Sequence, residues 1–259
     1  MFESLPIGEQ VMVTLITGFV PAIITSAGAF ALAQRNYRQE LGKLEEQFRL
    51  QEKAQVHLLR QRYISPLSYW GGKLNGRMSE LKYKMEHDQY AEVQRWFKIV
   101  KDHAAGDFRR NDFAVWMRYE GIFATTTLYY VCSYFQSVWA VQARSPMTEI
   151  DPEYADQLNA RLTRVSDAFG GEFGLWDSSQ VILGELFTDG ESKMQYAKLC
   201  EILDSGGLFA TAPFLRPLDF FLGLDITRIN SVKATLDELA GFLSQNVKQA
   251  VGSAPHSGR

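Results

Sequence analysis

Cysteine is scarce in this sequence. The 259 residues contain two, Cys132 and Cys200, each inside an apolar stretch with helical spacing, and no Asn-x-Ser/Thr glycosylation signal occurs. Two cysteines cannot form the several crosslinks of a small secreted domain, so a disulfide framework is excluded and a reducing compartment is favoured for most of the chain. A single bridge between the two stays open, and two buried thiols are the favoured interpretation.

A large excess of charge of either sign is also missing. The chain has 27 Lys and Arg against 30 Asp and Glu, a net charge of −3. Such a balance produces no general attraction to polyanions, so we expect no nucleic-acid partner.

Recognisable signals of catalysis and cofactor binding are absent as well. The sequence has no G-x-x-x-x-G-K-[ST], G-x-G-x-x-G or G-x-S-x-G motif, and its four histidines show no metal-ligand spacing. We therefore predict no catalytic residue, no cofactor and no metal site. The enzyme hypothesis that stays open is a metal-dependent hydrolase using His57, His87 and Asp88.

Charge is missing altogether between Glu9 and Arg35. The apolar run at the centre, Val11 to Ala33, has 23 residues, and a helix of that length spans about 34 Å, enough to cross a bilayer core. A transmembrane helix over residues 11–33 is the favoured interpretation. A buried core helix and a signal peptide cleaved after Ala33 remain alternatives, although residues 2–10 lack the basic residues typical of a signal peptide.

The charges beside this run predict an orientation. No Lys or Arg precedes it, and the segment from Arg35 to Arg62 has seven basic and four acidic residues. By the positive-inside rule residues 1–10 lie outside and the rest of the chain lies in the cytoplasm, as a single-pass protein of the plasma or inner membrane. The membrane-proximal basic flank comprises Arg35, Arg38, Lys43 and Arg49.

Small residues recur every four positions within the run. Thr14, Gly18, Ala22 and Ser26 share one helix face and would let two copies approach closely in lipid, so we expect association of the transmembrane helix in a homo-oligomer. After the run, residues 34–63 are highly charged, with apolar positions at helical spacing, and predict a helical stalk. The pattern breaks at Gln51 and Gln55, so a coiled coil is not predicted.

Residues 64–251 have the periodicity of an all-α multi-helix bundle, followed by a flexible tail at 252–259. The uncharged segment 121–143 predicts a central buried helix, because its seven Ser, Thr and Gln and its central tyrosines are atypical of lipid-facing helices, and a second membrane span is the alternative. Three glycines in the first bundle helix, Gly71, Gly72 and Gly76, are expected to permit close helix packing.

Local signals predict where several bundle helices begin and end. Asp151-Pro152 and Asp225 precede helices, and Asp177 with Gln180 forms a capping box. A helix is expected from Glu191 to Leu203. Pro213 and Pro217 are expected to break the aromatic segment around them into a connector.

Three classes of function follow. The leading hypothesis is a membrane-anchored cytoplasmic interaction, scaffold or effector module that binds an unidentified protein partner. The second is a membrane-tethered ligand sensor, with a pocket lined by the aromatic helix between Phe113 and Trp139. The third is the metal-dependent hydrolase.

Overall fold

The computed structural model describes residues 7–107, 110–147, 151–171, 174–189 and 192–252. Within these ranges the side chains of 7–29, 31, 52, 189, 192, 208–209 and 246–252 are not described. Over the described residues the chain is helical apart from two strands of two residues each, which confirms the all-α prediction. It divides into two units, Met1–His57 and Leu58–Arg259.

The first unit is formed by helix α1, Ile7–Leu59. One continuous helix therefore carries both the uncharged run and the charged stalk, and Pro21 lies inside it. Beyond residue 31 the described side chains of this unit are almost all exposed, among them Tyr37, Leu44 and Phe48.

Within the described part of the chain, no helix combines the length and apolar character needed to cross a bilayer. Most side chains of the predicted span at residues 11–33 are not described, and those of all four small residues of its stripe are among them.

The bundle begins without an interruption of the helical backbone. A π-helix at Arg60–Ile64 joins α1 to α2, so Ser65 has helical dihedral angles and makes no side-chain cap. The remaining elements are α2 (Ser65–Glu86), α3 (Tyr90–Ala105), α4 (Phe113–Arg118), α5 (Ile122–Arg144), α6 (Pro152–Phe169), α7 (Asp177–Leu186), β1 (Thr188–Asp189), β2 (Ser192–Lys193), α8 (Tyr196–Ser205), α9 (Leu208–Leu222) and α10 (Ile226–Gly252).

Helix α5 is the central helix of the bundle. It contacts α2, α3, α4, α7, α8 and α9. Leu128, Val131 and Cys132 are fully buried on it, which confirms the prediction of a buried central helix for residues 121–143. The aromatic segment predicted from Phe113 to Trp139 is not one helix, because α4 ends at Arg118 and a turn separates it from α5.

Three small buried hydroxyl groups of α5 are satisfied within the helix itself. The hydroxyl groups of Thr127, Ser133 and Ser137 donate to carbonyl oxygens four residues earlier, at 2.6, 2.6 and 2.9 Å. Such bonds remove the free-energy cost of burying a hydroxyl group. They explain how a segment with so many polar residues occupies the centre of the core.

Several local predictions are confirmed. The Asp151 carboxylate accepts a hydrogen bond from the backbone N–H of Tyr154 at 3.1 Å and caps α6. Asp225 does the same for the N–H of Arg228 at 2.8 Å and caps α10. Cys132 and Cys200 are free thiols, the first buried and the second partly buried.

Other local predictions are wrong. Pro213 and Pro217 lie inside helix α9, which packs Phe214, Leu218 and the Phe220–Phe221 pair into the core. Buried aromatic area outweighs the two lost backbone hydrogen bonds. The predicted helix from Glu191 contains β2 instead, and α8 begins at Tyr196.

The predicted capping box at Asp177 is also wrong. Trp176 occupies the N-cap position of α7, and the Asp177 carboxylate accepts a hydrogen bond from the Ser166 hydroxyl at 2.6 Å. Gln180 turns away from the helix start and donates to the carbonyls of Ser166 and Leu175. Both side chains therefore join α7 to α6 rather than closing the end of α7.

Candidate functional site

The residues selected from the sequence do not converge on one site. Arg35, Arg38, Lys43 and Arg49 are exposed on α1. His57 is exposed on the same helix, and His87 ends α2, where its ring stacks on Tyr83 and Nδ1 lies 2.8 Å from the carbonyl oxygen of that residue. Among the described residues, no group of three or more His, Cys, Asp or Glu is placed to hold a metal ion.

A cleft of about 160 Å³ opens where α5, α6 and α7 meet. The C-terminal half of α5 supplies one wall, with Phe135, Val138 and Trp139, and Leu162 of α6 and Val181 of α7 supply apolar surface opposite. The volume is about that of an engineered cavity known to bind benzene, and well below the size of a drug-sized pocket. A ligand that fills the cleft therefore has about one ring.

A glycine lets α7 approach α5 closely next to the cleft. At Gly184 an added Cβ would lie 2.6 Å from Cβ of Trp139 and 2.7 Å from the carbonyl oxygen of Phe135. Neither neighbour can retreat, because both atoms belong to the backbone or lie next to it. Glycine is therefore required at this crossing of the two helices.

The polar groups of the cleft are held in place by one another. Asp177 accepts from the Ser166 hydroxyl, and the amide of the buried Gln180 donates 3.1 Å to the Ser166 carbonyl and 2.7 Å to that of Leu175. Gln142 and Thr163 line the open side and are exposed. The cleft thus has a carboxylate acceptor and a side-chain amide beside an apolar ring, a set suited to binding rather than to bond breaking.

Tyr134 also lines the cleft. Its hydroxyl oxygen is buried without a hydrogen-bond partner among the described residues, and burial raises its pKa far above the ordinary value. An unsatisfied buried hydroxyl group is unfavourable by about 1 to 3 kcal/mol. A bound polar group or water would recover part of that free energy.

An apolar surface lies beside the cleft. Trp176, Val181, Ile182 and Leu186 are 59, 49, 46 and 47% exposed, and all four belong to or adjoin the ten-residue helix α7. Large exposed apolar patches on a protein often mark contact surfaces. No sequence signal marks these residues, because they match the pattern of an ordinary short amphipathic helix.

The cleft residues were likewise missed as a set. They come from three helices separated in sequence, and Asp177 and Gln180 were interpreted as a cap. No fixed spacing connects them, so the sequence contains no signal from which the site could be found.

No protein-family model matches the chain, and no curated protein or solved structure shows significant similarity to it.

Proposed function

We propose that the protein is a membrane-anchored helical interaction module. The observation that carries the proposal is the single helix α1, in which the uncharged run of residues 11–33 continues without a break into a charged stalk. A helix over residues 11–33 is long enough to cross the hydrocarbon core of a bilayer. The exposed apolar residues of α7 support an interaction role for the bundle.

The orientation in this proposal places the bundle in the cytoplasm. The basic flank follows the uncharged run, and no basic residue precedes it. All four flank residues are exposed on α1, so their charges are available to anionic lipid headgroups on the cytoplasmic leaflet.

Membrane fractionation combined with protease accessibility of tags at residues 1 and 259 tests this proposal. We expect a membrane-bound chain whose tag at 259 is protected in intact cells and whose tag at 1 is accessible. A tag at 259 that is accessible on the membrane would reverse the orientation or make residues 121–143 a second span. A chain released in soluble form, cleaved or whole, would remove the anchor from the proposal.

Self-association through the small-residue stripe is part of the same proposal. Gly18→Leu places a large side chain at the middle of the stripe, whereas Ala27→Leu makes a similar change on the opposite face of the helix. We expect Gly18→Leu to shift the mass distribution in detergent toward monomer and Ala27→Leu to leave it unchanged. Equal distributions for the wild-type chain and both variants would exclude the stripe as an interface.

A second candidate function, a membrane-tethered ligand sensor, is favoured by the cleft. Trp139 forms its apolar wall, and Asp177 supplies a negative charge. A one-ring molecule with an amino group fits this combination of size and charge. Of the aromatic segment between Phe113 and Trp139, only the part in the C-terminal half of α5 lines this cleft.

Benzylamine provides a direct test, with benzoate as the anionic control. We expect benzylamine to change tryptophan fluorescence, and we expect the change to disappear in Trp139→Phe and in Thr163→Phe, which narrows the open side. Ala160→Phe, on an exposed position of the same helix outside the cleft, serves as the matched control and should respond like the wild-type chain. A flat response to benzylamine and to a panel of amino acids and nucleobases would remove the sensor hypothesis.

A further inference from the structure

The charged stalk carries a narrow apolar face. Phe30, Tyr37, Leu41, Leu44 and Phe48 of α1 are 71, 62, 41, 49 and 65% exposed. With 3.6 residues per turn, the positions of these five residues fall within an arc of about 60° on one side of the helix. We call this face the stalk seam. Large apolar side chains are unfavourable in water, so a surface that covers the seam is stabilised by their burial.

The width of the seam indicates what kind of surface covers it. A helix that packs on a globular core has an apolar stripe about 100° wide or more, whereas a narrower stripe is typical of a helix paired with another helix. The spacing agrees with a helical partner. Tyr37, Leu41, Leu44 and Phe48 follow one another by four, three and four residues, which places them at alternating d and a positions of a heptad.

The seam is short and has defined ends. Phe30 falls at the preceding d position, and Gln34 occupies the a position after it. Beyond Phe48 the next d and a positions hold Gln51 and Gln55. A polar residue at an a position fixes the register of paired helices at a cost in stability. The interruption that argues against a long coiled coil therefore limits the seam to about three heptads.

Charge distinguishes a second copy of this chain from a different partner. In the same heptad register, Glu40 holds the g position and Glu45 the following e position, and both are exposed beside the seam. Two parallel copies in register would bring Glu40 of each chain opposite Glu45 of the other, and these like charges repel. Arg38, at the preceding e position, would face Ala33 in such a pair and would not offset the repulsion. A helix with Lys or Arg at e and g would instead attract both glutamates.

We propose that the stalk seam binds one helix of another protein, whose apolar a and d residues are flanked by Lys or Arg at e and g. The proposal deepens the interaction role proposed above and rests on it, but it requires only the stalk and not a bilayer span over residues 11–33. The apolar residues of the partner bury the five seam side chains, and its basic flanks pair with Glu40 and Glu45.

A designed helix tests the proposal on the full-length chain in micelles of an uncharged detergent. The probe is a fluorescent peptide of four heptads with Leu at every a and d position and Lys at every e and g position. A second peptide has Glu at e and g and is otherwise identical. We expect the chain to raise the fluorescence anisotropy of the Lys peptide and to bind the Glu peptide at least about tenfold more weakly. Micelles without the chain give the baseline for both peptides.

Two variants with the same chemical change locate the contact. Leu44→Glu puts a charge into the seam, and we expect it to weaken binding of the Lys peptide at least about tenfold, because the complex would bury that charge. Leu50→Glu is the matched control, since Leu50 is 59% exposed on the opposite side of the same helix, and it should bind like the wild-type chain. Glu40→Lys combined with Glu45→Lys should reverse the preference in favour of the Glu peptide.

Absence of binding to the Lys peptide would overturn the proposal, as would equal weakening by Leu44→Glu and Leu50→Glu. A chain that is dimeric without peptide, and becomes monomeric in Leu44→Glu but not in Leu50→Glu, would show that a second copy covers the seam instead. Membrane fractionation separates these results from those for the anchor. A soluble chain that binds the Lys peptide loses the anchor and keeps the seam, and a membrane-bound chain that does not bind it shows the reverse.

Discussion

A single arginine shows how one residue joins two helices of this bundle. Arg77 of α2 donates 2.9 Å hydrogen bonds to the carbonyl oxygen of Phe123 and the hydroxyl of Thr127, and one of 3.2 Å to Thr126. Its guanidinium carbon also lies 4.0 Å from the Phe123 ring centroid. A planar fork with several donors can make these contacts together, and a lysine cannot.

Arg77→Met tests this contribution, since it keeps the aliphatic stem and removes every donor. We expect the free energy of unfolding to fall by about 2 to 3 kcal/mol, because hydrogen bonds from a charged donor are stronger than neutral ones. The measurement is denaturant unfolding of the full chain in micelles, followed by tryptophan fluorescence. Arg95→Met, on the exposed face of α3, is the control and should change the value by less than about 0.5 kcal/mol. An equal loss in the free energy of unfolding for Arg77→Met and Arg95→Met would contradict the role of Arg77 in joining the two helices.

At the scale of helices, the glycines of α2 and α7 differ in the space around them. The expectation that Gly72 and Gly76 permit close packing is wrong, because an added Cβ at either would meet no atom within 4 Å. Gly71 would make only an ordinary contact of 3.7 Å with the Tyr134 ring. At Gly184, in contrast, the crossing with α5 leaves no room.

Alanine substitutions at Gly76 and Gly184 should therefore change the stability of the bundle in opposite directions. Gly76→Ala is expected to stabilise the bundle by about 0.5 to 1 kcal/mol through helix propensity and reduced freedom of the unfolded chain. Gly184→Ala gains the same propensity but forces α5 and α7 apart, and we expect a net loss of about 1 to 3 kcal/mol. Thermal unfolding of both variants beside the wild-type chain checks the signs. A stabilising Gly184→Ala would show that the two helices can separate freely.

At the scale of the whole molecule, the core buries several weak acids. Burial raises the pKa values of Tyr90 and Tyr134 above the ordinary 10.0 and that of Cys132 above 9.0. For an acid whose pKa is raised by folding, the contribution to stability is complete below the unfolded pKa and is lost as the pH rises above it. Each fully buried group loses about 1.4 kcal/mol per pH unit in that range.

The bundle should consequently unfold in alkali. We expect a thermal midpoint that is steady from pH 7 to 9 and falls steeply above pH 10. Lys193 acts in the opposite direction, because a base with a lowered pKa regains stability as the pH rises from about 8 toward 10.5. Lys193 is one partly buried group, whereas the buried weak acids are several. The phenols and the thiol therefore dominate the pH dependence of stability.

Cys132→Ala isolates one of these groups. The variant should have a lower midpoint at pH 7 because of the cavity it leaves, and a shallower decline between pH 9 and 10 because the buried thiol is gone. Differential scanning calorimetry over this pH range measures both. A midpoint of the wild-type chain that does not change up to pH 11 would show that folding does not raise the pKa values of these groups.

Periodicity and caps predicted much of the fold. The Asp151 cap of α6 and the Asp225 cap of α10 depend on neighbours within one turn, so they could be recognised locally. Helix α9 could not be predicted, because its two prolines are tolerated only once Phe220 and Phe221 are buried by other helices. The cleft could not be predicted for a related reason, since its residues meet only through the packing of three helices.

Hydrophobic spacing and charge act over short distances along the chain, so they were enough to predict the helical class, the central position of α5 and the uncharged run that enters a basic stalk. Tertiary structure alone decided that Asp177 binds Ser166 rather than its own helix, that Gly184 is a crossing point, and that Lys193 lies on Trp70 and Tyr129. These contacts join residues far apart in sequence. Their energies depend on burial and on partners that only the packed bundle supplies.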